Sequence, residues 1–155
     1  MDAENRHEFD AVMATFSHPR YELIGTGDVH DGPAEVTRYY DETRRAFPDQ
    51  RNRVHALHQG DDAVIVELDL LGTHQGPFRG VPPTGRAFEC RMIAVFSFAP
   101  GDDRISCERV YFDANTILRQ LGLAHDPLTL RGRIATALNH PLTLGRAFAR
   151  QLLRR

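Results

Sequence analysis

The spacing of apolar residues predicts helices in the first part of the chain and strands after it. Apolar side chains at three- and four-residue spacing predict a short helix over residues 7–16, which Pro19 ends. Pro33 is expected in the first turn of a second helix that ends near Phe47. A short strand over residues 21–25, bounded by glycine turns, is expected between the two helices.

After Phe47 the apolar residues follow a period of two, which is typical of strands with one buried face. Four strands are expected, over residues 53–59, 63–72, 87–99 and 104–112, followed by a short helix over 115–121. In the third of these strands the apolar alternation is unbroken over Phe88, Cys90, Met92, Ala94, Phe96 and Phe98. This order predicts an α+β domain, with helices covering one face of a curved antiparallel sheet.

Residues 127–155 differ from the rest of the chain in charge. They contain six arginines and no acidic residue, whereas residues 1–126 contain 13 arginines and 21 acidic residues. We therefore expect one domain over residues 1–126 and a basic, amphipathic helical extension over 127–155. The extension is expected to form two helices, over 128–138 and from Pro141 onward.

An amphipathic basic helix can have two kinds of partner. It can lie on an anionic membrane or bind an acidic partner, or it can dock its apolar stripe on the domain or on a second subunit. The stripe of the last helix consists of Leu144, Phe148 and Leu152, with arginines on the opposite side. Because this stripe is narrow, docking is the favoured interpretation, and membrane contact through residues 141–155 is the alternative.

Composition limits the chemistry and the compartment. All 19 basic side chains are arginine, and without lysine there is no Schiff-base or phosphate-loop lysine. The chain has neither an apolar run of about 18 residues nor a signal-peptide pattern at its start, which predicts a cytoplasmic protein. Cys90 and Cys107 form no metal or redox motif and are expected to be free, buried thiols. Nucleic-acid binding is not expected, because the body is net negative and the arginine stripe has no interleaved aromatic residues.

Eight histidines raise the question of a metal site. His55 and His58 are three residues apart on a predicted strand, so they are expected to face opposite sides and cannot chelate one ion together. The other histidines are scattered along the chain. We therefore expect no metal site.

The end of the last predicted strand carries candidate catalytic residues. Arg109, Tyr111 and Asp113 share one face of that strand, and Asp113 stands where the strand ends and an apolar helix begins. At the mouth of an apolar pocket, desolvation would raise the pKa of this carboxyl into the range of a general acid or base. The same position also suits a helix N-cap, and on spacing alone the cap is favoured.

The connection between the second and third long strands, residues 72–85, contains four glycines and three prolines. A loop of this length is often functional, and it could present His74 and Phe78 over a cavity. A rigid hairpin connection is the alternative, and for His74 the two interpretations are equally supported.

These segments together resemble the SnoaL-like polyketide cyclase (ester cyclase) family. This family belongs to the nuclear-transport-factor-2-like superfamily, which includes ketosteroid isomerase and limonene epoxide hydrolase. The resemblance covers about residues 8–123, and its motifs are Phe47-Pro48-Asp49, Gly72-Thr73-His74-x-Gly76, Gly80-x-Pro82-Pro83-Thr84-Gly85-Arg86, Tyr111-x-Asp113 and Gln120-Leu121-Gly122. It implies a cone-shaped, cystatin-like α+β barrel, a deep apolar pocket between sheet and helices, and a homodimer.

The resemblance also implies a site. In the family an aspartate at the end of the last strand is the general acid/base for an intramolecular aldol ring closure, without metal or cofactor, and Asp113 occupies that position. This implication outweighs the preference for a cap. Arg109, His74 or Tyr40 would orient the substrate oxygen or stabilise enolate charge. The residues expected to bind substrate are Tyr40, Phe47, Phe78, Phe88, Met92 and Tyr111. For any one of Phe47, Phe78, Phe88 and Met92, a plain core role is the favoured interpretation.

The expected function is proton-transfer chemistry of the cyclase, isomerase or hydratase type on a polyketide- or steroid-like molecule. Three alternatives stay open: a protein of the same fold that binds such a ligand without turning it over, a hydrolase like limonene epoxide hydrolase, and an interaction module that acts through the basic extension. The first predicted helix is shorter than is common in the cyclases, so the resemblance does not define one wall of the pocket.

Overall fold

The computed structural model describes residues 1–153 and contains six helices and six strands. In chain order these are α1 (Asp2–Asn5), α2 (Phe9–Met13), β1 (Arg20–Leu23), β2 (Asp28–Asp31), α3 (Pro33–Ala46), β3 (Arg51–Gln59), β4 (Ala63–Thr73), β5 (Ala87–Phe98), β6 (Ile105–Phe112), α4 (Ala114–Gln120), α5 (Leu130–Asn139) and α6 (Pro141–Leu152). The α+β class is confirmed.

The six strands form one curved sheet with the order β2-β1-β6-β5-β4-β3. Within residues 1–153 this sheet does not close into a barrel, because β2 and β3 are its free edges. Four of the five strand pairs are antiparallel, but β1 runs parallel to β6. The expectation of a wholly antiparallel sheet is therefore wrong at this pair, where the first strand of the chain joins the last.

Two short elements were not expected. Helix α1 lies before the helix predicted over residues 7–16, and α2 covers only the centre of that predicted helix. His7 lies between α1 and α2 and has a left-handed φ of 59°. Strand β2 falls in a region that glycines mark as turns. It is an edge strand in which Val29 is exposed, so it lacks an apolar face that would signal it.

The two faces of the sheet have different surroundings. On β4 and β5, Leu68 and Met92 lie on the inner face, where they pack with Ile117 of α4. Tyr40 of α3 is buried on the same side, against Tyr21 of β1. Ile93 alternates with Met92 and is exposed on the outer face. This division agrees with the predicted alternation and places the core between the sheet and the helices.

Helices α5 and α6 extend beyond this core. Within residues 1–153 they approach each other and no other helix or strand. The apolar stripe of α6 therefore does not dock on the chain's own domain, which is one of the two docking modes expected. None of the described helices is both long enough and apolar enough to span a membrane. Cys90 and Cys107 are free and buried, as predicted.

Candidate functional site

A cavity of about 320 Å³ lies between the inner face of the sheet and helices α3 and α4. Its middle section is apolar, with walls that include Leu68, Met92, Val110, Phe112 and Ile117. These residues belong to β4, β5, β6 and α4, so the alternation of each strand delivers its apolar face to one shared space. Polar side chains also line the cavity, among them Glu108, Arg44, His74, Thr43, Gln50 and Asn52.

At one end, a carboxyl group lies beside two phenols. Tyr21 of β1 is paired in register with Glu108 of β6, and both side chains line the cavity. The hydroxyl of Tyr21 forms a hydrogen bond with the hydroxyl of Tyr40 from α3. Glu108 is only 6% exposed. A parallel strand pair and one helix thus bring three polar side chains together in an otherwise apolar space.

Burial changes the proton affinity of these groups. Desolvation, together with the nearby carboxylate of Glu4, raises the pKa of Glu108 to about 8. Desolvation also raises the pKa values of Tyr21 and Tyr40 well above the usual value for a phenol. At neutral pH the tyrosines are therefore hydrogen-bond donors, whereas Glu108 titrates close to neutrality.

A buried arginine completes this end of the cavity. Nη2 of Arg44 lies 3.6 Å from Oε1 of Glu4, and its guanidinium stacks 5.3 Å from the ring centre of Phe9. Within the described residues, Nε and Nη1 of Arg44 have no hydrogen-bond partner. Arg44 lines the cavity. It therefore offers unused donors to an oxygen atom of a ligand.

The opposite end of the cavity contains His74, which is fully buried and stacks at an angle against Phe47 at a ring distance of 5.3 Å. The backbone N–H of Thr84 donates to Nδ1 of His74 over 3.2 Å. In the neutral ring the proton is therefore on Nε2. Within the described residues Nε2 has no partner. Phe47, which stacks on His74, follows Tyr40 by seven residues on or next to α3, a rise of about 10 Å along the helix axis.

Backbone hydrogen bonds hold the loop that carries His74 against α3. The N–H groups of Gln75 and Gly76 both donate to the carbonyl of Ala46, over 2.9 and 3.0 Å. At Gly76 the backbones are so close that a Cβ atom would overlap the carbonyl oxygen of Arg45. The loop is therefore a rigid connection that also presents His74 to the cavity, so both interpretations of the sequence apply.

Some of the remaining sequence candidates line the cavity and others lie outside it. Phe47, Phe78, Phe88, Met92 and Tyr40 line it, whereas Tyr111, Arg109 and Asp113 do not. Tyr111 is 43% exposed on the outer face, and Nε of Arg109 lies 3.1 Å from Oε2 of Glu22.

Asp113 caps helix α4. Its carboxylate accepts hydrogen bonds from the backbone N–H of Asn115 (2.9 Å) and from the hydroxyl of Thr116 (2.6 Å). The hydrogen bond from Thr116 is the largest influence and lowers the pKa of Asp113. The expectation that an apolar pocket raises this pKa is therefore corrected: the carboxylate is solvated and held by the first turn of a helix.

Comparison with known proteins places this arrangement in a family. The model of the SnoaL-like polyketide cyclase family matches residues 1–121. The chain belongs to the SnoaL-like polyketide cyclase family. Among solved structures, it is similar to IdmH of Streptomyces antibioticus, a proposed polyketide cyclase, with 30% identity over 78% of this chain and 91% of that chain and a TM-score of 0.64.

Two further structures share the fold of this SnoaL-like chain. AclR of Streptomyces galilaeus, a proposed hydroxylase, is 22% identical over 81% of each chain, with a TM-score of 0.68. A ketosteroid-isomerase-like protein of Catenulispora acidiphila, solved with trimethylamine, is 17% identical over 78% of this chain and 87% of that chain, with a TM-score of 0.64. The chain has no match among curated proteins.

In this SnoaL-like chain, the buried carboxyl of the last strand, Glu108, was not among the candidates predicted from the sequence. A signal for it exists: Glu108 has the parity of Val110 and Phe112 on β6, whereas Arg109 and Tyr111 have the opposite parity. Glu108 is therefore the one carboxylate on the apolar face of β6, and a lone carboxylate in such a position is a candidate functional residue. Its partner Tyr21 follows only from the parallel pairing of β1 with β6.

The outer face of the sheet holds a separate group of charges. His55 lies 2.6 Å and His58 2.9 Å from the carboxylates of Asp69 and Glu67, which share this face. A β-bulge in β3 shifts the register between the two histidines, so the expectation of opposite sides is wrong. Hydrogen bonds from Arg91 and other partners hold the pKa of Asp69 well below its usual range. Residues 1–153 contain no group of three or more potential metal ligands.

Proposed function

We propose that this SnoaL-like protein catalyses proton transfer next to a carbonyl group of an apolar, polyketide- or steroid-like molecule. The reaction is of the cyclase or isomerase type and uses the chain's own side chains. One observation carries this proposal: Glu108, a buried carboxyl whose pKa is raised to about 8, faces an apolar cavity beside two tyrosine hydroxyls.

Glu108 acts as the general base. Its carboxylate removes a proton from the carbon next to the carbonyl, and the electron pair of that C–H bond moves to the carbonyl oxygen to form an enolate. The Tyr21–Tyr40 hydroxyl pair and the unpaired donors of Arg44 stabilise the negative oxygen. The enolate carbon then attacks a second carbonyl of the same molecule, whose oxygen becomes an alkoxide and takes the proton back from Glu108, or Glu108 returns the proton to another carbon.

His74 positions the far end of the substrate. Its Nε2–H donates to a second oxygen of the ligand. Phe47 packs against His74 and Phe78 packs against Phe47, which together exclude water from this contact. The proposed substrate is therefore an apolar body with hydrogen-bond acceptors at both ends. The homodimer expected from the family stays a prediction.

The test uses hydrogen–deuterium exchange at the carbons next to the carbonyl of β-tetralone, followed by NMR in D2O. Wild-type protein is expected to accelerate exchange over buffer, and Glu108→Gln to reduce that acceleration by on the order of 10²–10⁴-fold. Asp113→Asn is the matched control, since it changes a carboxylate on the same segment outside the cavity. Unchanged exchange in Glu108→Gln would disprove the assignment, and tight binding without exchange in the wild type would indicate a binding protein.

A further inference from the structure

The C-terminal helices present an uncovered apolar surface. Leu128, Leu142 and Phe148 are 88%, 75% and 64% exposed. Leu130, Ile134, Leu138, Leu152 and Leu153 are also more than half exposed. Within residues 1–153, no helix or strand of the body approaches α5 or α6. Monomeric proteins rarely leave so many large apolar side chains in water along one continuous segment, so this surface is expected to have a partner.

The charge of the same segment is of one sign. Residues 127–155 contain six arginines and no acidic residue. On α5, Arg131 and Arg133 lie about 100° to one side and about 60° to the other side of Leu130, so arginines flank the apolar stripe. On α6, Arg146 and Arg150 lie on the side opposite Leu152. Flanking arginines can extend their alkyl parts over an apolar phase and keep the guanidinium in a polar, anionic layer.

A second copy of the chain is a less suitable partner than lipid. Two α5 helices packed through their apolar stripes would bring the flanking arginines of both copies close together. Some carboxylates of the body, such as those of Asp31, Asp69 and Glu22, already pair with arginines of the same chain. An anionic lipid surface matches both properties, since it offers an apolar phase below a layer of negative charge.

We propose that α5 and α6 bind the surface of an anionic lipid membrane, with their apolar stripes at the acyl boundary and their arginines at the headgroups. Neither helix is long and apolar enough to cross the membrane, so both lie in its plane. The attachment is close to the cavity in sequence: Leu118 and Leu123 line the cavity, and Leu123 precedes Leu128 by five residues, at most about 17 Å of extended chain. An apolar ligand dissolved in the membrane therefore has a short path to the cavity.

Vesicle flotation with the full-length protein tests this proposal. The protein is expected to float with vesicles in which about one third of the phosphatidylcholine is replaced by phosphatidylglycerol, and to remain below pure phosphatidylcholine vesicles. High salt is expected to weaken the binding, because it screens the arginines. Absence of flotation at low salt, or equal binding to both kinds of vesicle, would overturn the proposal.

Two variants and one control identify the surface. Arg146→Gln combined with Arg150→Gln is expected to weaken vesicle binding on the order of 30-fold, and Phe148→Ser combined with Leu152→Ser to abolish it. The control combines Arg38→Gln with Arg104→Gln, which changes the net charge equally on exposed arginines of the body.

The mass of each variant in solution separates lipid from a second copy. A mass equal to that of the wild type is expected for every variant, and the circular dichroism of the body is expected to stay unchanged. If Phe148→Ser with Leu152→Ser lowers the mass while vesicle binding is absent from the wild type, the apolar stripe serves a second copy and the proposal is wrong. A control variant that binds as weakly as the Arg146/Arg150 variant would equally contradict a specific surface.

Discussion

Tyr21 of β1 lies directly opposite Glu108 of β6, and this parallel pairing brings a phenol and a buried carboxyl to the same end of an apolar cavity. The hydroxyl of Tyr21 also bonds to that of Tyr40. Because the carboxyl group is shielded from water, the pKa of Glu108 is raised to about 8. The pairing therefore defines both the location and the titration range of the proposed acid/base group.

The buried carboxyl predicts a specific dependence of stability on pH. Glu108 is protonated in both states below its ordinary pKa of 4.5, so its burial has no ionic cost there. Between 4.5 and about 8 the unfolded chain ionises and the folded chain does not, so the free energy of unfolding falls as the pH rises through this range. Urea denaturation of wild type and Glu108→Gln across this range measures the difference.

In Glu108→Gln this contribution is absent, so the stability of the variant relative to the wild type is expected to rise between pH 5 and 8. Other titrating groups cancel in the comparison. A difference that stays constant with pH would show that Glu108 keeps an ordinary pKa. Turnover by the wild type is expected to increase through the same range, because the ionised carboxylate is the base.

Asp113 predicts a contrast between two substitutions. Asparagine is as good an N-cap as aspartate, so Asp113→Asn is expected to retain nearly all of the stability, whereas Asp113→Ala is expected to lower the Tm by about 2–4 °C. Both variants are expected to keep wild-type kcat, since the side chain does not line the cavity. Calorimetry and the exchange assay measure the two effects. Loss of turnover in Asp113→Asn with a normal Tm would instead support Asp113 as the catalytic acid/base.

His74 predicts a separation of structural and binding roles. In His74→Asn the amide oxygen can still accept from the N–H of Thr84, but the Nε2 donor is lost, so KM is expected to rise while the Tm changes little. In His74→Leu the N–H of Thr84 has no acceptor, which is expected to cost a further 1–3 kcal/mol, roughly. Substrate titration and thermal denaturation distinguish these effects. Equal KM values for His74→Asn and wild type would remove His74 from the site.

The close contact of Gly76 with α3 predicts that a side chain at this position lowers the stability of the fold. A methyl group at this position would overlap the carbonyl of Arg45, a backbone atom that cannot move alone. Gly76→Ala is therefore expected to destabilise the fold by about 1–3 kcal/mol. Gly60→Ala is the matched control, because a Cβ there meets only ordinary contacts and has no unfavourable φ. Similar urea midpoints for the two variants would contradict this account.

The long strands were predictable because their signal is local. The alternation over Phe88, Cys90, Met92 and Ala94 reproduces the buried positions of β5. The same local reasoning could not show that β1 pairs with β6, since no spacing within the chain records which distant strand lies next to an edge. Partners of strands depend on the whole topology, and short edge strands carry little pattern of their own.

The site was predictable in its walls and less so in its polar residues. Phe47, Phe78 and His74 line the cavity as expected from the loop and its neighbours. Asp113 satisfied two descriptions, a cap and a catalytic carboxyl, and only the geometry of Thr116 and its neighbours assigns it to the cap. Spacing cannot reveal whether water reaches a carboxylate, and solvation determines the pKa.

The contact between β1 and β6 has a consequence for folding. Strands β3 to β6 can pair through successive neighbours, whereas β1 reaches β6 only after the intervening chain is in place. Contacts between such distant residues carry a large loop-closure entropy and are expected to form late. A partly folded molecule would leave Glu108 in water with an ordinary carboxyl pKa. The proposed reactivity is therefore acquired only in the last step of folding, so nascent and damaged chains are expected to be chemically inert.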